Sequence, residues 1–259
     1  GAEQRDWFLS AAGSSSATWK LWGNALPLIP MRLDMSSLPF TDYDDSIFNI
    51  DAWAGYPHEL GYMVNHLREQ EVTGLVSLSG DHHMHGAGTV NENAGKAESP
   101  PVFVDFNVAG ISSTPLFDDL LVVAKRDHPD FGALVYRETD TRVEPVWNMS
   151  MLQGVFAAYT YNKTGIRALS DLLGPNNANR GLRYVDTLAN GYGLASLDGD
   201  TMRVRLVAME DCRNSFEQPP RIRYIASFTL DHWGVGEAPE VKGPTFDGTA
   251  PFPFPAATV

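Results

Sequence analysis

The segment Gly74-Leu75-Val76-Ser77-Leu78-Ser79-Gly80-Asp81-His82-His83-Met84-His85-Gly86 carries two signals at once. Its first half is a short apolar run stopped by Ser-Gly, the mark of a buried strand. Its second half packs three of the chain's seven histidines beside an aspartate. Immediately before it, Leu60, Met63, Val64 and Leu67 follow the i, i+3, i+4, i+7 spacing of a one-sided helix over about residues 58–70. Before that, Thr18-Trp19-Lys20-Leu21-Trp22 reads as a strand ending at Gly23-Asn24. Strand, helix, strand is the crossover unit of layered α/β sheets. Ligands of open α/β sheets gather beyond the carboxyl ends of strands, which is where the Asp-His segment lies.

Outward from this unit the signals weaken. Residues 25–57 are rich in Pro, Ser and Asp and show no period, so an irregular loop is expected. Val102, Val104, Phe106 and Val108 alternate with Phe103, Asp105 and Asn107 as in a half-buried strand leading to Ala109-Gly110-Ile111-Ser112-Ser113. A short helix is expected around Asp118–Lys125, a strand pair over 131–150 with a turn near Asp140, and mixed helix and loop over 151–182. Asp198-Gly199-Asp200 separates two alternating stretches as a hairpin turn would, and Ile222 to Leu230 alternate again. Residues 234–259, rich in Pro and Gly, are expected to drape over the surface as a tail behind a domain of residues 1–233. At the other end, Trp7, Phe8 and Ala11 share one side of a helix that starts at once, which reads as a piece of a longer chain.

Composition sets the limits. The 259 residues are 43% hydrophobic and 20% charged, the profile of a globular protein. A net charge of −13 disfavours binding to a nucleic-acid backbone, and an anionic substrate would need local positive charge such as a metal. No apolar run reaches the roughly 20 residues of a membrane helix. The single cysteine, Cys212, excludes an internal disulfide framework and a Cys-rich zinc site, and nothing beside it suggests a nucleophile.

Asp81 and His83 stand two apart after a strand, so in extended geometry both side chains face one point. A carboxylate oxygen with an imidazole nitrogen suits Zn, Mn or Fe, and the carboxylate alone also suits Ca. His82 should face away; His85 could protonate a leaving alkoxide or orient other groups from behind. The plain alternative is a solvated turn that happens to hold histidines. The metallo-β-lactamase order, the His-Glu-x-x-His helix and the Gly-x-Ser-x-Gly elbow are all absent. Asp42, Asp44 and Asp45 form an acidic turn read as solvated loop, and Arg180 and Arg183 read as surface cations.

Several of these stretches, in order, resemble one family. Leu78-Ser79-Gly80-Asp81-His82-His83 resembles the Gly-Asp-x-His motif of the PhoD-like alkaline phosphatases, within the calcineurin-like metallophosphoesterases. Gly1-Ala2-Glu3-Gln4, Trp19-Lys20-Leu21-Trp22-Gly23-Asn24, Asp51-Ala52-Trp53-Ala54-Gly55-Tyr56-Pro57, Asp105 to Ser113 and Gly191-Tyr192-Gly193 are similar to further motifs of the same family.

The resemblance implies a phosphoesterase acting on phosphomonoesters or diesters through a multinuclear centre of iron and calcium, with Zn or Mn as other candidates. It implies export to the periplasm or medium. Asp81, His83 and Asn24 would be metal ligands, His85 the candidate proton donor, and Trp53 and Tyr56 a substrate wall. In fold it implies the carboxyl-terminal half of a four-layer α/β/β/α sandwich. The family takes further ligands from an amino-terminal part that these residues do not match. The expected partner is therefore that part, as a separate chain that completes sheet and centre. A non-catalytic binding module, or a metal-dependent hydrolase of another substrate class, are the competing readings.

Overall fold

A computed structural model describes residues 1–38, 41–43, 45–47, 49–91, 99–175, 177–211, 213 and 218–255. Cys212 and Asp44 lie outside the described residues. The elements in chain order are α1 (Ala2–Ser14), β1 (Lys20–Gly23), β2 (Arg32–Asp34), β3 (Asp45–Ile47), α2 (Pro57–Glu69), β4 (Leu75–Ser79), β5 (His85–Asn91) and β6 (Pro101–Asn107). There follow α3 (Leu116–Arg126), α4 (Gly132–Val135), β7 (Arg137–Glu138), β8 (Val143–Glu144), α5 (Val146–Leu152), α6 (Val155–Thr164) and α7 (Arg167–Asp171). The last strands are β9 (Leu182–Asp186), β10 (Asn190–Leu197), β11 (Thr201–Met209), β12 (Ile222–Asp231) and β13 (Lys242–Gly248).

The expected crossover is present: β1 and β4 pair in parallel, Leu21 against Val76, with α2 between them in sequence. Pro57 opens α2, where its missing N–H costs nothing, and Met63, Val64 and Leu67 form its buried face. A mixed five-stranded sheet follows in the order β1-β4-β6-β5-β9, and an antiparallel sheet in the order β10-β11-β12-β13. Val76, Ala87, Val104, Phe106 and Tyr184 of the first sheet pack on Met202, Val204, Leu206, Tyr224, Ala226 and Phe228 of the second. The two sheets therefore share one apolar interior. The opposite face of the first sheet, through Leu75, Val90, Val102 and Phe103, is covered by α1 and α2. A third cluster joins residues 29–38 to α3–α6 in a helical lobe.

Several expectations change. Trp7 is 68% exposed; α1 buries Leu9 and Ala12 instead, and Phe8 meets Trp22 at 4.4 Å between ring centroids. The stretch 131–150 holds the two-residue strands β7 and β8, but α4 and α5 flank them. The tail is not a loose drape: Lys242–Gly248 is β13, paired with β12, and Phe246 and Phe254 pack against the shared core. β6 is not half-buried, since all of Val102–Asn107 is buried, including Asp105 and Asn107.

Candidate functional site

β4 ends at Ser79, and the chain turns at once. The amide of Gly80 donates to Ala25 O (3.3 Å), which holds the tip of β4 beside the turn that follows β1. The His82 amide donates back to Gly80 O at 2.8 Å, while Asp81 has φ +67°. That is a three-residue turn of the rare left-handed kind. His83, at φ +50°, is a second left-handed residue. Such backbone costs on the order of 1–3 kcal/mol per residue and persists where the surroundings enforce it. The segment is thus not extended, and the alternation of a strand does not orient Asp81 and His83. The double turn does so instead, leaving Asp81 exposed, His83 half-buried and His82 buried.

His83 is fixed on both sides. Its backbone carbonyl accepts from the Leu116 amide (3.0 Å), and its ring Nδ1 lies 2.8 Å from Thr114 O. A carbonyl oxygen can only accept, so Nδ1 carries a proton, and in the neutral ring Nε2 is the nitrogen with the lone pair. Imidazoles that bind metals characteristically donate their second nitrogen to a carbonyl or carboxylate in this way. His82 differs: burial holds its pKa below the usual histidine value, which favours its neutral form.

The same test removes His85 from the acid–base chemistry. It is fully buried; its Nδ1 accepts from the Ala109 amide (3.0 Å), and its Nε2–H donates to Val207 O (3.1 Å). Burial lowers its pKa, outweighing the opposing pull of the Val207 carbonyl and Asp186. Both nitrogens are occupied, and the ring acts as a tie between the two sheets. Gly191 makes this approach possible, because a Cβ there would lie 1.8 Å from Val207 O and 3.1 Å from His85 Nε2.

A buried polar network lies beneath the turn, and the alternation of β6 gave no hint of it. Asp105 Oδ2 accepts from the amides of Leu28 (2.8 Å) and Ile29 (3.2 Å), and Oδ1 accepts from Ser79 Oγ (3.0 Å). Asn107 Oδ1 lies 3.3 Å from the same hydroxyl, and its Nδ2 donates to Met84 O at 2.8 Å. Ser79 and Met84 bracket the Gly80–His83 turn, so this network clamps both of its ends. Burial raises the Asp105 pKa against the pull of these donors. On the far side, Asn190 Nδ2 donates to Gly110 O (3.0 Å) and Ser113 O (2.7 Å), fixing the loop that leads to Thr114.

The other expected residues are placed as follows. Asn24 sits at the tip of β1; its backbone N–H donates to Leu78 O (3.0 Å) and its Nδ2 to Leu26 O (2.7 Å), and Oδ1 is its side-chain acceptor. Trp53 packs edge-on against Trp22, 6.1 Å between centroids, and Tyr56 is 59% exposed at the start of α2. Arg180 binds Asn177 Oδ1 at 2.7 Å. Among the described residues, no group of three or more His, Cys, Asp or Glu side chains forms a metal site. A carboxylate oxygen, an imidazole nitrogen and an amide oxygen, as on Asp81, His83 and Asn24, are donor types that suit a borderline or hard cation.

Alkaline phosphatase D of Bacillus subtilis (strain 168) is 26% identical over 113 residues, covering 44% of this chain and 18% of that protein. A solved structure described as the structure of PhoD matches with a TM-score of 0.58 at 18% identity, covering 95% of this chain and 35% of the other. This chain therefore spans about a third of the length of that structure. The likeness supports the mixed α/β architecture with several sheets. The family model for PhoD-like phosphatases matches residues 1–144, which include α1, the β1–α2–β4 unit and the Asp81–His83 turn. The chain belongs to the PhoD-like phosphatase family.

Proposed function

We propose that this chain supplies part of the metal centre of a phosphate-ester hydrolase. The observation that carries the reading is His83: its Nδ1 proton is committed to Thr114 O, and its Nε2 lone pair sits at a strand tip beside the strained Asp81. In a PhoD-like phosphatase, that is the state a metal ligand needs. Asp81, His83 and the Asn24 carbonyl would hold the ion, iron or calcium by family resemblance and Zn or Mn otherwise. A bound ion activates water and offsets charge on phosphoryl oxygens. The chain's own part is to hold these donors still: Asp105 and Asn107 clamp the turn, and Thr114 sets the imidazole tautomer.

Donors are too few here for phosphoryl transfer, which rests on positioning and charge stabilisation by a complete cage. The reading therefore includes a complementary part of the fold that brings the remaining ligands and the outer layer of a four-layer sandwich. In this reading residues 1–233 are the carboxyl-terminal part of the catalytic domain, and β13, within residues 234–259, returns onto its core. Trp53 and Tyr56 stand at the rim as a substrate wall, and an exported setting belongs to the same reading. No described helix is long and apolar enough to cross a membrane.

The test is hydrolysis of p-nitrophenyl phosphate and bis-p-nitrophenyl phosphate by the complemented, metal-loaded protein. Asp81→Ala and His83→Ala should each lower kcat/KM at least 100-fold. Full activity in either variant refutes the assignment. A complemented protein that binds no metal and cleaves neither ester supports a binding module instead.

A further inference from the structure

α7 reverses the usual arrangement of an amphipathic helix. The side chain it buries is Ser170, whose Oγ donates to Arg167 O (3.0 Å), while its apolar side chains meet water. Ile166, Leu169 and Leu173 follow the i, i+3, i+7 spacing of one stripe. The stripe runs past the helix end because the Leu173 amide donates to Ser170 O at 3.0 Å. Such a stripe normally packs on a core. Here Leu172, beside it, is 83% exposed and Ile166 55%, and Leu169 and Leu173 are exposed as well. Single exposed leucines are common on protein surfaces, but four large aliphatic side chains within eight residues form a strip, the kind of feature that marks an interaction site.

The charge around this strip runs against that of the molecule. The chain has a net charge of −13, yet residues 155–185 hold Lys163, Arg167, Arg180 and Arg183 against Asp171 alone. Asp171 is already neutralised, with Arg167 Nε 2.8 Å from its Oδ1. Lys163 is exposed just before Ile166, its ammonium 5.3 Å from the centre of the Tyr159 ring. Arg137, which pairs with Glu144 at 3.5 Å, reaches the same end: a Cβ on Gly165 would lie 2.7 Å from its Nη2. At the other end, Gln153 Nε2 donates to Asp171 Oδ1 (3.0 Å), tying α7 to the end of α5. Asn179 Nδ2 donates to Met151 O of α5 (3.0 Å), and exposed Arg180 follows it. Cations therefore flank the strip on both sides.

An aliphatic strip between cations is complementary to a surface with anionic headgroups over an acyl interior, where apolar side chains sink to the acyl boundary and Lys or Arg stays with the phosphates. At physiological ionic strength the Debye length is about 8 Å, so such a surface meets the local positive charge and not the distant acidic faces. A second copy of the chain is a poorer occupant, because pairing the strip with itself would set like charges against each other.

We propose that Ile166, Leu169, Leu172 and Leu173 dock this chain on the surface of an anionic phospholipid bilayer, with Lys163 and Arg180 on the headgroup phosphates. This is attachment to a surface and not a span, and it does not depend on the metal site.

The test is co-sedimentation of the 259-residue chain with large unilamellar vesicles at physiological ionic strength. The vesicles are phosphatidylcholine alone, or equal parts of phosphatidylcholine and phosphatidylglycerol. Partitioning should be about tenfold or more stronger on the anionic vesicles. Leu172→Glu and Lys163→Glu should each weaken it about tenfold or more, while Trp7→Ala, at an exposed apolar side chain of α1, should change it less than about twofold. The melting curves of the three variants should match the wild type, since each site is exposed. No binding to anionic vesicles, equal binding to both compositions, or full binding by Leu172→Glu would each overturn the proposal. Self-association in sedimentation velocity that Leu172→Glu abolishes, with no vesicle binding by the wild type, would overturn it in favour of a second copy.

Discussion

Replacing Asp105 tests whether the buried network holds the turn. In Asp105→Ala, the amides of Leu28 and Ile29 lose their acceptor in a dry interior. A buried polar group left unsatisfied costs about 1–3 kcal/mol, so the two together should cost about 2–6 kcal/mol. That is a large share of the roughly 5–15 kcal/mol available to a folded domain. Asp105→Asn keeps one acceptor oxygen for the amides, and its new N–H₂ can donate to the Ser79 hydroxyl, which rotates to accept. Its cost at pH 4 should be about 1 kcal/mol. The two variants also separate in their pH dependence. Burial raises the Asp105 pKa, so the folded state holds its proton more tightly than the unfolded chain. Stability from this group is fully present below the unfolded value of about 4 and is lost as pH rises through the folded pKa. Asparagine has no such loss, so the gap between wild type and Asp105→Asn should shrink from pH 4 upward. Urea unfolding between pH 4 and 8 reads both quantities. A cost below about 1 kcal/mol for alanine, or a gap that is flat or widens with pH, would refute the argument.

Three further outcomes follow from the same contacts. Gly191→Ala places a methyl 1.8 Å from Val207 O, so thermal unfolding should show a loss of about 2–3 kcal/mol, with the His85 tie broken first. Because burial lowers the pKa of His85, the folded state holds fewer protons than the unfolded chain below about pH 6.5; stability should fall on acidification from there, and His85→Asn should flatten that slope in urea titrations. Trp7→Ala, at an exposed site, should shift stability by less than about 0.5 kcal/mol in the same assay.

What the sequence disclosed depended on periodicity. The β1–α2–β4 crossover was readable because α2 has one apolar face and its two strands are short apolar runs with polar stops. β5 was not, since His85-Gly86-Ala87-Gly88-Thr89-Val90 is buried on both faces and has no alternation to detect. β13 was hidden by Gly243 and Pro244, which an edge strand tolerates and a loop would equally contain. In the site, Asp81, His82 and His83 were visible as a cluster, but the left-handed turn that orients them was not, because neither residue is a glycine. Asp105 and Asn107 looked like the wet face of a strand. Only the packing of residues 25–31 over that face shows that they are interior. His85 could be read as a histidine, though not as one whose two nitrogens are both tied to backbone.

The central claim is that His83 Nε2 is available to a metal and that Asp81 joins it. X-ray absorption at the zinc edge, on the chain loaded with one Zn²⁺, reads the ligands directly. Imidazole nitrogen scattering at about 2.0–2.1 Å should be present in the wild type and in His82→Ala and absent in His83→Ala. Imidazole ligation that survives His83→Ala and disappears in His82→Ala would contradict the account.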